Sequence, residues 1–311
     1  MASDACRGEG PPDCAVVLVC WNNRDYLEPC LQSLFQLTVR YTFEVVVVDN
    51  GSTDGSQEMV ASRFPQVQII QNDRNVGLGR ASNQGIEATR APFVLLLNND
   101  TVVNGESLDR LIDWMAATPD AGAAGGTLLN SDGSFQAAYG KFPTLAEEFL
   151  IATGLGEMFW EGYPSHRTGK GARKVDWLSS ACLVLRRTAL AQVGLLDEHY
   201  FIYGDETDLQ YRLVKGGWSV YYLPQATTIH FGGRSLDRWR RRRMVYRGKM
   251  LFFKKNYDSL RHYALRAMLG VLTTAKVGAW ALAWPVPAFR ERARREVRSN
   301  ADVLRLCLRL E

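Results

Sequence analysis

The chain has 311 residues, 46% hydrophobic and 23% charged, which excludes a disordered or fibrous protein and allows one large domain or two modest ones. Its net charge of +4 conceals an asymmetry: from Arg234 onward 20 Lys and Arg stand against 6 Asp and Glu, a net +14, which leaves −10 for the preceding residues. The six cysteines (Cys6, Cys14, Cys20, Cys30, Cys182 and Cys307) form no CxxC pair and no cluster with zinc spacing, so they read as reduced thiols of a cytosolic protein.

The opening MASDACRGEGPPDC lacks a basic segment followed by an apolar one, so residues 1–13 read as a flexible lead-in rather than a secretory signal. CAVVLVCWN is a buried strand, RDYLEPCLQSLFQL has helical spacing, and TFEVVVVDN is a second apolar strand that stops at Asp49. Asp54 and Gln57 have capping-box spacing for the next helix, SQEMVASRF. Then follow the strand VQIIQN, the helix GRASNQGIEATR, the strand PFVLLLNND, the helix GESLDRLIDWMAAT and the strand AGAAGGTLLN. This alternation predicts an α/β fold with a mostly parallel, Rossmann-like sheet flanked by helices. Ligands of such sheets bind at the carboxyl ends of the strands, where both Asp49 and Asp100 lie.

Residues 131–174 have weak periodicity and read as irregular. VDWLSSACLVLRRTALAQVG resumes as a strand and a helix, LLDEHYFIYGDETDLQYRLVKGGW runs from dense acids into a helix, and SVYYLPQATTIHFGGRS reads as a strand, a loop and a Gly-rich turn.

Several polar groups sit where apolar burial would exclude them without a partner. Asp100 follows the run FVLLLNN, and a carboxylate at an open strand end suits a hard divalent cation; the plainer reading is a turn cap. Asp49 has no basic neighbour in sequence, so it is either a turn-forming residue or an acceptor for a ring N–H of uracil or thymine, or for ribose. His230, in HFGGRS, is either structural or a metal ligand that favours Mn²⁺ over Mg²⁺. Asp205, Glu206 and Asp208 repel one another, which raises at least one pKa; Asp208 also has the spacing to pair with Arg212.

The stretches VVDNGSTDGS, NDRNVGLGRASNQGI, LLLNNDTVV, VDWLSSACLVLRR and GDETDLQYR followed by IHFGGRS occur in this order between about Ala15 and Lys255. Together they resemble the family 2 inverting glycosyltransferases of GT-A fold, and within them the bacterial rhamnosyltransferase-like branch. The resemblance implies transfer of a sugar, with inversion, from a nucleotide-diphosphate donor to a saccharide or polyprenyl-linked acceptor in cell-surface polysaccharide synthesis. The donor it implies is dTDP-L-rhamnose, with UDP-galactofuranose, UDP-galactose and UDP-GlcNAc as alternatives. It implies that Asp100, the last residue of a DXD-type motif in which Asn98 replaces the first acid, binds Mn²⁺ or Mg²⁺ together with His230. It further implies donor contacts from Asp49, Asn50, Arg80, Asn83, Asn98, Asn99, Arg234 and Ser235, and acceptor contacts from Trp177 and Asp208. Glu206 falls at the position of the catalytic base, with Asp205 in reserve.

The expected layout is a catalytic domain over residues 14–258 and a basic amphipathic helical segment over 259–311. That segment has no clean apolar run of membrane-spanning length, so no spanning helix is predicted. Its basic, aromatic and leucine-rich character suits the cytoplasmic face of the inner membrane, where a lipid-linked acceptor resides. The alternatives are a helix pair packed on the catalytic domain or a homodimer interface. No nucleic-acid recognition module is present, so no nucleic-acid partner is expected. Two rival classes are a nucleotidyltransferase, which should carry a Gly-rich basic phosphate loop where this chain has CWNNRDY, and a non-catalytic sugar-nucleotide-binding module.

Overall fold

The computed structural model describes residues 11–37, 40–159, 169, 171–232 and 238–308. Four apolar strands form one half of the sheet: β1 (Cys14–Cys20), β2 (Phe43–Asp49), β3 (Gln68–Gln71) and β4 (Phe93–Asn98). They lie in the order β3-β2-β1-β4, all parallel. Continuous Val and Leu runs are what such strands require, because helices cover both faces and no residue looks outward to water. Val16, Leu18, Val48 and Leu95 are accordingly fully buried. The covering helices alternate with the strands as α1 (Arg24–Phe35), α2 (Ser56–Arg63) and α3 (Leu78–Glu87).

Register decides where the polar strand ends emerge. Cys20 stands opposite Asp49 and Val19 opposite Asn98, so the segments after β1, β2 and β4 leave the sheet at one edge. The chain turns sharply there. Gly51 has φ +79°, and a Cβ at this position would lie 2.8 Å from the Arg74 backbone, so only glycine fits the turn after Asp49.

The other half of the sheet is mixed. β5 (Thr101–Val103), α4 (Gly105–Ala117) and β6 (Ala121–Leu129) follow β4 in sequence, then the short strands β7 (Phe135–Gln136) and β8 (Tyr139–Gly140). Past the helices α5 (Leu145–Thr153) and α6 (Leu155–Phe159) come β9 (Arg173–Val175), β10 (Trp177–Leu178) and β11 (Cys182–Arg186). Then follow α7 (Arg187–Val193), α8 (Asp205–Lys215) and β12 (Ser219–His230). The sheet continues β4-β11-β6-β12-β5, with β11 antiparallel to both its neighbours and β12 parallel to β6.

Three expectations are corrected. SVYYLPQATTIH is one strand rather than a strand and a loop: β12 absorbs Pro224 through a register shift between Leu223 and Thr227. The capping box at α2 does not form: Gly55 occupies the N-cap, Asp54 accepts from the Ser56 N–H at 3.1 Å, and Gln57 donates instead to Asp49. The stretch read as irregular contains α5, whose N-cap Thr144 accepts from the Glu147 N–H. The five described cysteines are free and buried, and burial pushes the Cys30 thiol up to about 12 and that of Cys182 to about 11.

The chain divides into two compact units. One comprises residues 11–142, 171–201 and 205–232 and contains the sheet. The other comprises 143–159, 202–204 and 238–308: α5, α6, α9 (Arg238–Asn256), α10 (Ser259–Ala283) and α11 (Arg290–Leu308). Within this helical unit Glu148, 2% exposed, pairs with Lys249 at 2.6 Å. Arg242 donates to the buried Asn300 at 2.8 Å, and Arg266 donates twice to the Cys307 carbonyl, an otherwise unpaired group at the end of α11. Among the described residues no helix is long and apolar enough to cross a membrane.

Candidate active site

Asp49 ends β2 and is 1% exposed. Its Oδ2 accepts from the Ser52 N–H at 2.9 Å and from the Gln57 amide at 2.5 Å. Its Oδ1 is buried with no hydrogen-bond partner. A buried carboxylate oxygen left open in this way is costly, and a ligand N–H is the group that would satisfy it. Asn50, next in the chain, is fully engaged in shaping the neighbouring loop. It accepts from Asn72 at 3.2 Å and the Val76 N–H at 3.1 Å, and donates to Asn75 at 3.1 Å and the Gly77 carbonyl at 3.3 Å.

The second centre lies at the end of β4. There β5 pairs antiparallel with β12, which sets Thr101 opposite His230 and brings the imidazole to Asp100. His230 Nε2 is 3.2 Å from Asp100 Oδ1 and 3.1 Å from Asn98 Nδ2. Both side chains are largely buried, and the Phe231 N–H donates to the Asp100 carbonyl at 2.9 Å, which ties the two segments together.

This pair fits a divalent cation. Neighbouring ligands around an octahedral ion with bonds of about 2.1 Å are about 3.0 Å apart, close to the observed separation. One carboxylate oxygen and one imidazole form a mixed hard and borderline donor set. Among the described residues no group of three or more His, Cys, Asp or Glu converges, so ligand oxygens and waters would complete such a shell. Asn99 is engaged elsewhere: it accepts from Asn23 at 2.6 Å and donates to the Val19 carbonyl at 2.9 Å, bracing the end of β1.

The third centre is the start of α8. Asp205 is 1% exposed, and its Oδ1 is buried without a partner. Burial, followed by the neighbouring Glu206 carboxylate, pushes its pKa well above the usual carboxylate range and so favours its protonated form. It lines a cavity of about 20 Å³ together with Asn98, Ser82 and Ser180, room for about one water. Glu206 is half-buried and therefore within reach of solvent.

Asp208 forms the Arg212 pair that its spacing allowed. It is 2% exposed, with Oδ2 accepting from Arg212 at 2.9 Å and Oδ1 from Tyr200 at 3.4 Å. Arg212 in turn donates to the carbonyls of Val193, Gly194 and Leu195. Asp208 thus holds α8 against the preceding loop, the i,i+4 pairing that the spacing also allowed.

Trp177 is half-buried, and its ring lies against Gly140, where a Cβ would come within 2.9 Å of it; its indole N–H donates to the Lys141 carbonyl. Asn83 is a clamp: it donates to the Leu196 carbonyl at 2.8 Å and accepts from the Leu196 N–H at 3.0 Å. Arg80 is exposed and lies 3.7 Å from Glu198. Arg234 and Ser235 lie outside the described residues.

Two residues that no motif signalled support these centres. Gln136 on β7 accepts from His230 Nδ1 at 2.6 Å. Gln210 on α8 is fully buried; its amide accepts from the Leu178 N–H and donates to the Leu178 and Glu206 carbonyls, joining β10 to the start of α8. A lone Gln in sequence carries no such signal, because both roles depend on long-range pairing.

Comparisons with known proteins bear on the family and the fold. The family model for glycosyl transferase family 2 matches residues 15–194. An N-acetylglucosaminyl-diphospho-decaprenol L-rhamnosyltransferase of Mycobacterium tuberculosis is 35% identical over 240 residues, covering 72% of this chain and 77% of that protein. Among solved structures, the mannosyltransferase PcManGT of Pyrobaculum calidifontis in complex with GDP-Man and Mn²⁺ aligns with a TM-score of 0.57 at 14% identity, over 95% of this chain and 86% of that one. GalNAc-T7 with UDP, GalNAc and Mn²⁺ aligns with a TM-score of 0.60 at 14% identity, over 97% of this chain and 56% of that one. These structural likenesses show the fold, the GT-A arrangement.

Proposed function

The chain belongs to glycosyltransferase family 2, and we propose that it transfers L-rhamnose from dTDP-L-rhamnose to a lipid-linked saccharide, with inversion, in the synthesis of a cell-surface polymer. The observation that carries this reading is the similarity to the mycobacterial rhamnosyltransferase, which extends over most of both chains. The site supports it independently. The open Oδ1 of Asp49 matches the N3–H of thymine, and the loop held by Asn50 borders it. Asp100 and His230 would hold Mn²⁺ or Mg²⁺, with Asn98 beside them. The bound cation supplies charge neutralisation for the departing diphosphate.

In the proposed reaction Glu206 takes the proton of the acceptor hydroxyl as that oxygen bonds to the anomeric carbon of the donor. The bond from this carbon to the diphosphate breaks, and the nucleoside diphosphate leaves with the electron pair. Asp205, whose pKa burial raises, limits the negative charge beside Glu206. Trp177 forms one wall on the acceptor side.

A UDP-sugar donor is the second reading, since uracil presents the same N3–H to Asp49. A panel of dTDP-L-rhamnose and UDP-sugars with Mn²⁺, scored by thermal shift and nucleotide release, distinguishes them. Rhamnose-dependent release of dTDP is expected; turnover of UDP-sugars alone would overturn the donor assignment.

The helical unit supports an assignment to the cytoplasmic membrane surface. From the end of α10 to the start of α11 a run of exposed apolar side chains, Leu282 (83% exposed), Trp284, Val286 and Phe289, is followed by Arg290, Arg292, Arg294 and Arg295. Apolar insertion flanked by cations favours an anionic lipid interface. In sedimentation with phosphatidylglycerol vesicles, the Trp284→Ser, Phe289→Ser double variant is expected to stay in the supernatant. Binding retained by that variant would overturn the assignment, and monomerisation by it, measured by light scattering, would support a homodimer interface.

A further inference from the structure

The imidazole of His230 has two different neighbourhoods. On the Nδ1 side stands Gln136, whose amide orientation is set by its other contacts. Gln136 Nε2 donates to the His230 carbonyl at 3.0 Å and to Asn130 Oδ1 at 2.9 Å. A backbone carbonyl only accepts, so the nitrogen end of the amide must face it. Asn130 is oriented in the same way, its own amide nitrogen donating to Ser134 Oγ at 2.9 Å and to the Phe135 carbonyl. The oxygen end of Gln136 therefore meets Nδ1 at 2.6 Å, and Nδ1 must carry the proton.

In the neutral ring the lone pair is then on Nε2. That nitrogen faces Asn98 Nδ2, which donates to it, and Asp100 Oδ1, which is also an acceptor. The Nε2 lone pair is thus held only by a neutral amide donor, which a cation can displace, and Asp100 Oδ1 converges on the same nitrogen at 3.2 Å. If the proton moved to Nε2, it would bridge to Asp100 and close the same place with an internal hydrogen bond.

We propose that Gln136 is a positioning residue of the transferase: it holds His230 in the Nδ1–H tautomer and so keeps the Asp100–His230 pair open for the divalent cation of the donor complex. This rests on the reading of that pair as the metal site. The residue acts through a contact fixed by three hydrogen bonds, and its position on β7 is set by pairing with β6, where Gln136 stands opposite Leu128.

The test uses the full chain without metal. Imidazole ¹⁵N spectra, with the His230 signal among four histidines identified by its loss in His230→Ala, report the tautomer directly. The wild type is expected to show protonated Nδ1 and bare Nε2. Gln136→Met, which has similar shape and no strong acceptor, is expected to shift His230 toward Nε2–H. Gln136→Glu keeps an acceptor and is expected to keep Nδ1–H, which a purely structural loss would not reproduce. Mn²⁺ affinity in the presence of dTDP, read by electron paramagnetic resonance, is expected to fall about 10–100-fold in Gln136→Met and much less in Gln136→Glu. An Nε2–H tautomer in the wild type overturns the proposal, and does so even if His230→Ala still weakens Mn²⁺ binding, in which case the metal site stands. Mn²⁺ affinity unchanged in both Gln136→Met and His230→Ala overturns the metal-site reading and this role with it.

Discussion

The two units differ in their buried charge, although both contain a paired acid, Asp208 with Arg212 in the sheet unit and Glu148 with Lys249 in the helical one. In the sheet unit, Asp49 and Asp205 each keep a buried carboxylate oxygen without a partner, and Asp100 faces an imidazole nitrogen rather than a lysine or arginine. In the helical unit the buried carboxylate of Glu148 is paired with Lys249, and Arg242 is engaged by Glu296, Ser299 and Asn300. An acid with an open buried oxygen, at a strand end or a helix start, is able to receive a ligand group, whereas an acid paired between helices serves packing. The strongly basic sequence of the second unit is therefore not a single free patch. Part of its charge holds helices together, and the exposed remainder near Arg290–Arg295 is available to a surface.

This contrast can be broken in several ways. Glu206→Gln should lower kcat by about 10²–10⁴-fold with unfolding temperature unchanged, if Glu206 is the base. Full turnover by that variant would remove it from the chemistry. Glu148→Ala should do the reverse. It leaves Lys249 partly buried without its partner and should cost on the order of 3 kcal/mol in a denaturant titration, with dTDP affinity unchanged. A parallel loss of dTDP affinity would blur the division between the units.

Asp49→Ala should raise the donor KM about tenfold to a hundredfold, corresponding to a charged hydrogen bond of about 1.5–3 kcal/mol. An unchanged KM would mean that the open oxygen serves no donor.

The smallest effect is a pH dependence. Below the ordinary carboxylate range Asp205 is protonated in both folded and unfolded chains, so Asp205→Asn should be nearly neutral there. As pH rises the unfolded Asp ionises near 3.9 while the folded one, with its raised pKa, does not, and the wild type loses stability. The variant should therefore melt about 2 °C or more above wild type at pH 7, with the gap closing toward pH 4. A gap that widens on acidification would contradict the buried, protonated state.

The sheet edge was largely legible in sequence because its strands are buried on both faces. Continuous runs such as VVVVD and FVLLLN can hardly be anything else, and their polar ends name Asp49 and Asp100 directly. What was hidden depends on pairing between distant segments. The antiparallel insertion of β11 beside β4 has no local pattern. His230 reaches Asp100 only because β12 runs through Pro224 and pairs with β5, where the sequence reads as a strand and a loop. Gln136 lies on a strand of two residues, too short for any periodicity. Asp208 was the opposite case: its i,i+4 spacing to Arg212 was local and visible, and the pair forms. In the helical unit, composition announced helices and charge, but not which arginines would be engaged between helices.

The central claim is that Asp100 and His230 hold the cation that accompanies the donor diphosphate. Calorimetric titration of dTDP with and without Mn²⁺, on the wild type and on His230→Ala, tests it most directly. The account predicts that Mn²⁺ tightens dTDP binding at least about tenfold in the wild type, a coupling of about 1.4 kcal/mol, and that His230→Ala abolishes most of that gain. Equal dTDP affinity with and without Mn²⁺, or a gain that survives His230→Ala, would contradict it.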